Sequence, residues 1–158
     1  MKKIGAFLFI SLLFACNSLQ NTKSGISKQA SKTFPFTDSL YELVGIDTTT
    51  DGFLLMEPGH GGSGLIMFFS SHLFETTSGI NSATGQYLYK TKANGLHSLQ
   101  FVNIEIHKKV VSENKQAMTF DALFFSHLRS VMYVKIEQKL IYCYDKNQRE
   151  LLRFYRKN

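Results

Sequence analysis

The sequence predicts an α+β fold, with many short strands, one amphipathic helix and short links between them. Three observations carry this. Apolar residues alternate every second position in several short runs, and recur every three to four positions in a single longer segment. Glycine, asparagine and aspartate punctuate the runs at short intervals. Links of a few residues favour antiparallel pairing, because a parallel pair needs a long crossover.

The N-terminus stands apart from that pattern. Met1, Lys2 and Lys3 form a short positive region, and residues 4–14 form an uncharged apolar run. That is the order of an export signal. The run is about half the roughly 20 apolar residues that a spanning helix needs. Leu13-Phe14-Ala15-Cys16 resembles the bacterial lipobox, with leucine third before the cysteine and a small residue directly before it. An ordinary secretory site would be small-x-small, and Leu13 is not small. Residues 1–15 are therefore expected to be a lipoprotein signal peptide, and Cys16 the lipidated residue. Residues 17–33 read NSLQNTKSGISKQASKT, with little that could join a core. That stretch of about 17 residues has a coil reach of roughly 20–25 Å, and residues 16–38 are assigned to the lipidated cysteine and a flexible tether. Asn17 is not the aspartate of inner-membrane retention, which favours the outer membrane facing the periplasm.

Residues 39–158 form the predicted domain. Residues 39–46 alternate as a first strand, 48–52 turn, and 53–56 are a short apolar run. Pro58 to Gly64 make a glycine-rich loop. Strands are expected at 65–69 and 72–77, followed by a turn punctuated by Gly79, Asn81 and Gly85. These three read as structural turn residues: glycine permits positive φ, and asparagine can bond its own backbone. Residues 86–90 alternate strictly, and 93–95 turn again. Residues 99–107 are the clearest strand, with Phe101, Asn103 and Glu105 on one face and Val102, Ile104 and Ile106 on the other. The period changes after Val111. Ala117, Phe120, Phe124, Leu128 and Val131, with Leu123 alongside, predict a helix over about 114–130, capped by Asn114 or Ser112. Strands return at 132–136, 140–144 and 150–156, linked by turns at 138–139 and 145–148.

The chain has 18 Lys and Arg against 12 Asp and Glu. Without Lys2 and Lys3 the balance is 16 against 12, a mild and dispersed +4, densest around Arg149, Arg153, Arg156 and Lys157. Nucleic-acid binding needs a concentrated basic face and ideally a known motif, and neither is present. Attraction to anionic lipid headgroups is a softer alternative. With Cys16 lipidated, Cys143 has no disulfide partner and reads as a small buried hydrophobe. The five histidines, His60, His72, His97, His107 and His127, lack metal-ligand spacing. The loop at 59–64 lacks the lysine and following helix of a phosphate loop, and no Gly-x-Ser-x-Gly elbow accompanies it. It reads as a hairpin loop. No catalytic residue, metal site or cofactor is assigned.

The element order resembles the META domain, the HslJ-like family (DUF306). The resemblance rests on Tyr41-Glu-Leu43, Leu65-Ile-Met-Phe68, Gly79-Ile-Asn81 with Gly85-Gln-Tyr87, Leu99-Gln-Phe-Val-Asn-Ile104, the helix ending at Leu128, Tyr133 with Leu140, and Glu150-Leu-Leu-Arg-Phe154. It spans about residues 39–156. Tyr41 stands where the family usually has tryptophan, and Ile80 where many members have cysteine. The resemblance implies a strongly curved, partly open antiparallel sheet, half-barrel-like, with the helix closing one side. It implies envelope lipoproteins linked to stress tolerance, and no catalytic residues.

Together these readings lead to an expected function. The chain is a lipid-anchored, monomeric cell-envelope protein held to the membrane through Cys16. Its non-enzymatic domain binds a protein partner or supports envelope integrity under stress. The alternative is a carrier of an acyl chain or extended peptide, because Phe68, Phe69, Phe74, Phe101, Phe124 and Phe125 exceed what one strand face or helix stripe hides. An incompletely closed sheet would leave an apolar groove between sheet and helix for that ligand.

Overall fold

The computed structural model describes residues 34–57, 64–107 and 113–157. The expected signal peptide, Cys16, residues 17–33 and His60 lie outside them. Among the described residues nine strands and one helix follow in order: β1 (Ser39–Asp47), β2 (Phe53–Leu55), β3 (Leu65–Phe68), β4 (Leu73–Thr77), β5 (Ser82–Lys90), β6 (Leu96–Ile106), α1 (Lys115–Ser130), β7 (Tyr133–Glu137), β8 (Leu140–Tyr144) and β9 (Glu150–Arg156).

The partly open half-barrel is not what forms. Eight strands, β1 and β3 to β9, pair antiparallel in sequence order, and β9 pairs back onto β1, closing a barrel. The class is mostly strand with one short helix, so α+β describes it only loosely. Closure follows from β1, which bonds along both edges. On one side Ser39–Glu42 faces β3 and Gly45–Asp47 faces the short β2. On the other, Tyr41 to Ile46 face Arg156 to Leu152. A closed sheet leaves no edge of unpaired backbone groups in its wall. Periodicity along the chain reports which face of a strand is buried, not which distant strand it pairs with, so closure between the first and last strands left no local mark.

The interior is a stack of rings. Phe68 lies 4.5 Å from Phe34, 5.2 Å from Tyr87, 5.8 Å from Tyr41 and 5.9 Å from Phe101, centroid to centroid. Phe74 meets Phe101 at 4.9 Å in an edge-to-face contact, the geometry aromatic quadrupoles prefer. Leu43, Ile46, Ile66, Leu99, Val134, Ile141, Cys143, Leu152 and Phe154 complete the core. The buried hydroxyls find carbonyls: Tyr41 Oη donates to Phe36 O and Tyr87 Oη to Phe69 O. Burial pushes the Tyr87 hydroxyl up to about 12 and raises that of Tyr41 against the pull of Arg156. Both rings therefore stay neutral.

Residues 34–38, grouped above with the tether, turn against one end of the barrel. Phe34 is 1% exposed there, beside Phe68, Tyr87 and Tyr89. The antiparallel registers put the β3–β4, β5–β6 and β7–β8 turns and the end of β9 at this same end, termed the tether end. Helix α1 closes the opposite end. Its cap is Asn114, whose side chain accepts from the amides of Gln116 and Ala117. The expected stripe faces inward: Phe124 and Leu128 are fully buried, and Phe124 packs edge-to-face on Phe154.

One face assignment changes along β6. Leu99 and Phe101 point inward, but Asn103 adopts φ 53° and is exposed. The register against β5 jumps by one residue there, so two residues of β6 oppose Gly85. This is a β-bulge, and it moves Ile104 and Ile106 onto the core side. Gly85 accordingly lies inside β5 rather than in the turn. A Cβ at that position would sit 2.7 Å from the Phe74 ring and 3.0 Å from Val102 O. Only glycine lets that ring lie flat on the strand.

Candidate functional site

Of the turn residues singled out in the sequence, two lie at the helix end. Gly79 takes φ +92° in the β4–β5 turn. Asn81, buried, closes the turn: its carbonyl accepts from the Ser78 amide at 3.0 Å, and its amide donates to Ser78 Oγ at 3.2 Å. The sequence reading missed their partner on the helix. Buried Asp121 accepts from Asn81 Nδ2 at 2.9 Å through one carboxylate oxygen and from Ser78 Oγ through the other. The carboxylate thereby clamps α1 to the turn. Its signal in the sequence was an acid at helical spacing with Phe124 and Phe125, on the face that must be buried.

Beside this clamp a shallow groove of about 380 Å³ runs between α1 and β2. It is lined by Leu54, Met56, Gly79, Ile80, Ala117 and Phe120, with Ser78 at its base. Leu54 is 52% and Leu55 63% exposed, the most open large hydrophobics of the helix end. β2 bonds β1 on one side only, so among the described residues its other edge is unpaired. Two further depressions, of about 400 and 550 Å³, lie on the outer wall of β3, β4 and β5. They are open sheet faces without a free strand edge.

The other candidates are dispersed. His72 and His97 sit at the tether end against Tyr87 and Tyr89. His107 bonds Thr84 on the outer wall. His127 is buried in α1, with Nε2 2.6 Å from Asp47 O, to which it donates. Asp47 is in turn ion-paired with Arg149, whose Nη2 stands 2.6 Å from Oδ2 and 2.7 Å from Oδ1. Among the described residues no three His, Cys, Asp or Glu side chains gather as a metal site. Cys143 is a free thiol sealed in the core, and burial, with Glu150 nearby, pushes its ionisation up. A thiol held protonated in this way is unreactive. Of the glycine-rich loop only Gly64 is described, close under the Phe124 ring.

The geometry defines a class: a closed antiparallel barrel, filled by its own side chains and capped by one helix, with apolar surface on the outside. No family model matches the chain, and no curated protein does. Among solved structures it is similar to a DUF4847 family protein from Bacteroides vulgatus ATCC 8482. The TM-score is 0.50 at 11% identity, over 77% of this chain and 94% of that one. A likeness at that identity is one of fold.

Proposed function

We propose that this chain is a lipid-anchored envelope protein whose barrel is a non-enzymatic binding module, engaging a protein partner through the groove between α1 and β2. The observation that carries the reading is the filled interior: with Phe68, Phe74, Phe101 and Tyr87 occupying the lumen, exposed apolar area is left to the surface. At the helix end it gathers at Leu54 and Leu55, beside the unpaired edge of β2. An extended segment of a partner can add a strand to such an edge and seat side chains in the groove. The charge order of residues 1–3, the apolar run and Leu13-Phe14-Ala15-Cys16 support export and lipidation of Cys16, and Asn17 supports the outer membrane. Kinship with the META domain belongs to the same proposal and is supported by the ordered motifs from Tyr41 to Phe154.

Two variants test it. Leu54→Glu with Leu55→Glu touches only exposed side chains, so the melting temperature should stay within about 2 °C of wild type. Crosslinking in intact envelopes should then capture a reproducible partner with the wild-type chain and at least about tenfold less with the variant. Equal capture, or none with either chain, would remove the groove from consideration. Co-purified lipid in native mass spectra would favour the carrier alternative instead. Cys16→Ala should leave a longer, unlipidated precursor. Membrane fractionation of that variant at the mature mass would refute the anchor.

A further inference from the structure

Among the described residues the two ends of the barrel differ in charge. At the tether end the β5–β6 turn brings Lys90 and Lys92, the β7–β8 hairpin brings Lys135 and Lys139, and the end of β9 brings Arg156 and Lys157. Among the described residues the acids there are Asp38, Glu42 and Glu137, and Glu137 forms an ion pair with Lys135 at 2.5 Å. Lys157 also approaches Glu42, at 3.5 Å. Among the described residues the helix end has the reverse excess, with Asp47, Asp51, Glu105, Glu113, Asp121, Asp145 and Glu150 against Lys115, Arg129, Lys146, Arg149 and Arg153, the last paired with Glu150 at 2.8 Å.

Three of these cations lie on aromatic rings. Lys92 Nζ is 4.6 Å from the Tyr133 centroid, Lys139 Nζ 5.8 Å from that of Tyr155, and the Arg156 guanidinium 5.2 Å from that of Phe36. Amphipathic rings beside basic heads are the composition that settles at the headgroup level of a bilayer. The same end receives the chain: Phe34 is packed there, and Cys16 lies eighteen residues earlier. Even fully extended, that length cannot carry the barrel more than about 60 Å from a lipid at Cys16.

We infer that the tether end is a docking face for an anionic phospholipid surface, orienting the barrel with α1 and the β2 groove pointing away from the membrane. The inference rests on the lipoprotein reading for what keeps this face near a bilayer, but the face is built from described residues alone. It gives the anchored protein a fixed presentation: the basic end lies on the headgroups and the partner-binding end is offered outward. Attraction of this kind falls off within a Debye length, so the orientation is salt-sensitive.

The test uses the mature chain purified with its native lipid and reconstituted in two kinds of vesicle. One is phosphatidylcholine alone, and the other contains roughly one-third phosphatidylglycerol. Amine labelling read by peptide mass should slow about tenfold at Lys90, Lys92 and Lys139 on the anionic vesicles at low salt. Lys115 and Lys146 should label equally on both. Equal labelling of the two ends on anionic vesicles would overturn the inference. A second measurement uses the unlipidated mature chain, Cys16→Ser, in co-sedimentation with anionic vesicles. Lys90→Gln, Lys92→Gln and Lys139→Gln together should weaken its binding on the order of 100-fold, and unchanged binding would equally overturn the inference. A mature chain whose intact mass has no lipid at Cys16 would sink the anchor reading instead, and the co-sedimentation arm would still decide the face.

Discussion

Phe68→Ala should cost about 3–5 kcal/mol, the scale of a large buried ring replaced by a methyl group. Phe68 is 1% exposed and touches four other rings, Phe34, Tyr41, Tyr87 and Phe101. Those neighbours come from the N-terminal turn, β1, β5 and β6, so no single element can relax inward to fill the space. The cavity term should therefore lie at the upper end of its range. Thermal unfolding should fall by about 12–20 °C, with Phe68→Leu losing less than half as much. A loss below about 1 kcal/mol would mean that the ring stack is not what holds the lumen. The variant also probes the carrier alternative. A hollowed barrel that began to retain lipid, where wild type is clean, would show that the rings themselves exclude it.

Asp121→Ala is expected to cost about 2–4 kcal/mol, because it removes two buried hydrogen bonds to a charged acceptor at once. Ser78 Oγ and Asn81 Nδ2 both donate to this carboxylate, and Ser78 and Asn81 are 2% and 6% exposed. Each donor gives up a bond to a carboxylate, which is stronger than one to a neutral oxygen. Asp121→Asn keeps the shape and should lose less, since its amide oxygen can still accept from one of the two. Chemical denaturation of the three proteins gives the order directly: wild type, then Asn, then Ala. Hydrogen exchange should place the loss locally, with faster exchange of amides in the first two turns of α1 and in the β4–β5 turn. Uniform acceleration across the barrel would argue that the clamp is part of the global core and not a local fastening of the helix beside the groove.

The elements themselves were largely legible. Alternation found most of the strands, and the three-to-four spacing of Phe120, Phe124 and Leu128 found the helix, whose cap is Asn114, one of the two residues the sequence offered. Three things were not legible, each for its own reason. Barrel closure depends on β1 meeting β9 across more than a hundred residues, and neither strand's pattern names its partner. The β6 bulge breaks period two in mid-strand, so a single face was assigned where Asn103 switches it. Gly85 looks like turn chemistry in one dimension, although the reason for a glycine there is the Phe74 ring from the neighbouring strand. For the candidate site, Gly79 and Asn81 were found as turn residues. Asp121 escaped because its partners lie forty and forty-three residues away. The exposure of Leu54 and Leu55 escaped because a short apolar run ordinarily reads as buried.

The pairing of Tyr41–Ile46 with Leu152–Arg156 has a consequence for how such a chain acquires its shape. A polypeptide emerging N-terminus first carries a naked β1 edge until β9 has emerged more than a hundred residues later. Contacts this distant in sequence form slowly, and an unsatisfied edge is an invitation to wrong partners. The final stave is also the one that seals the cask, so the wall stays open until that last strand arrives.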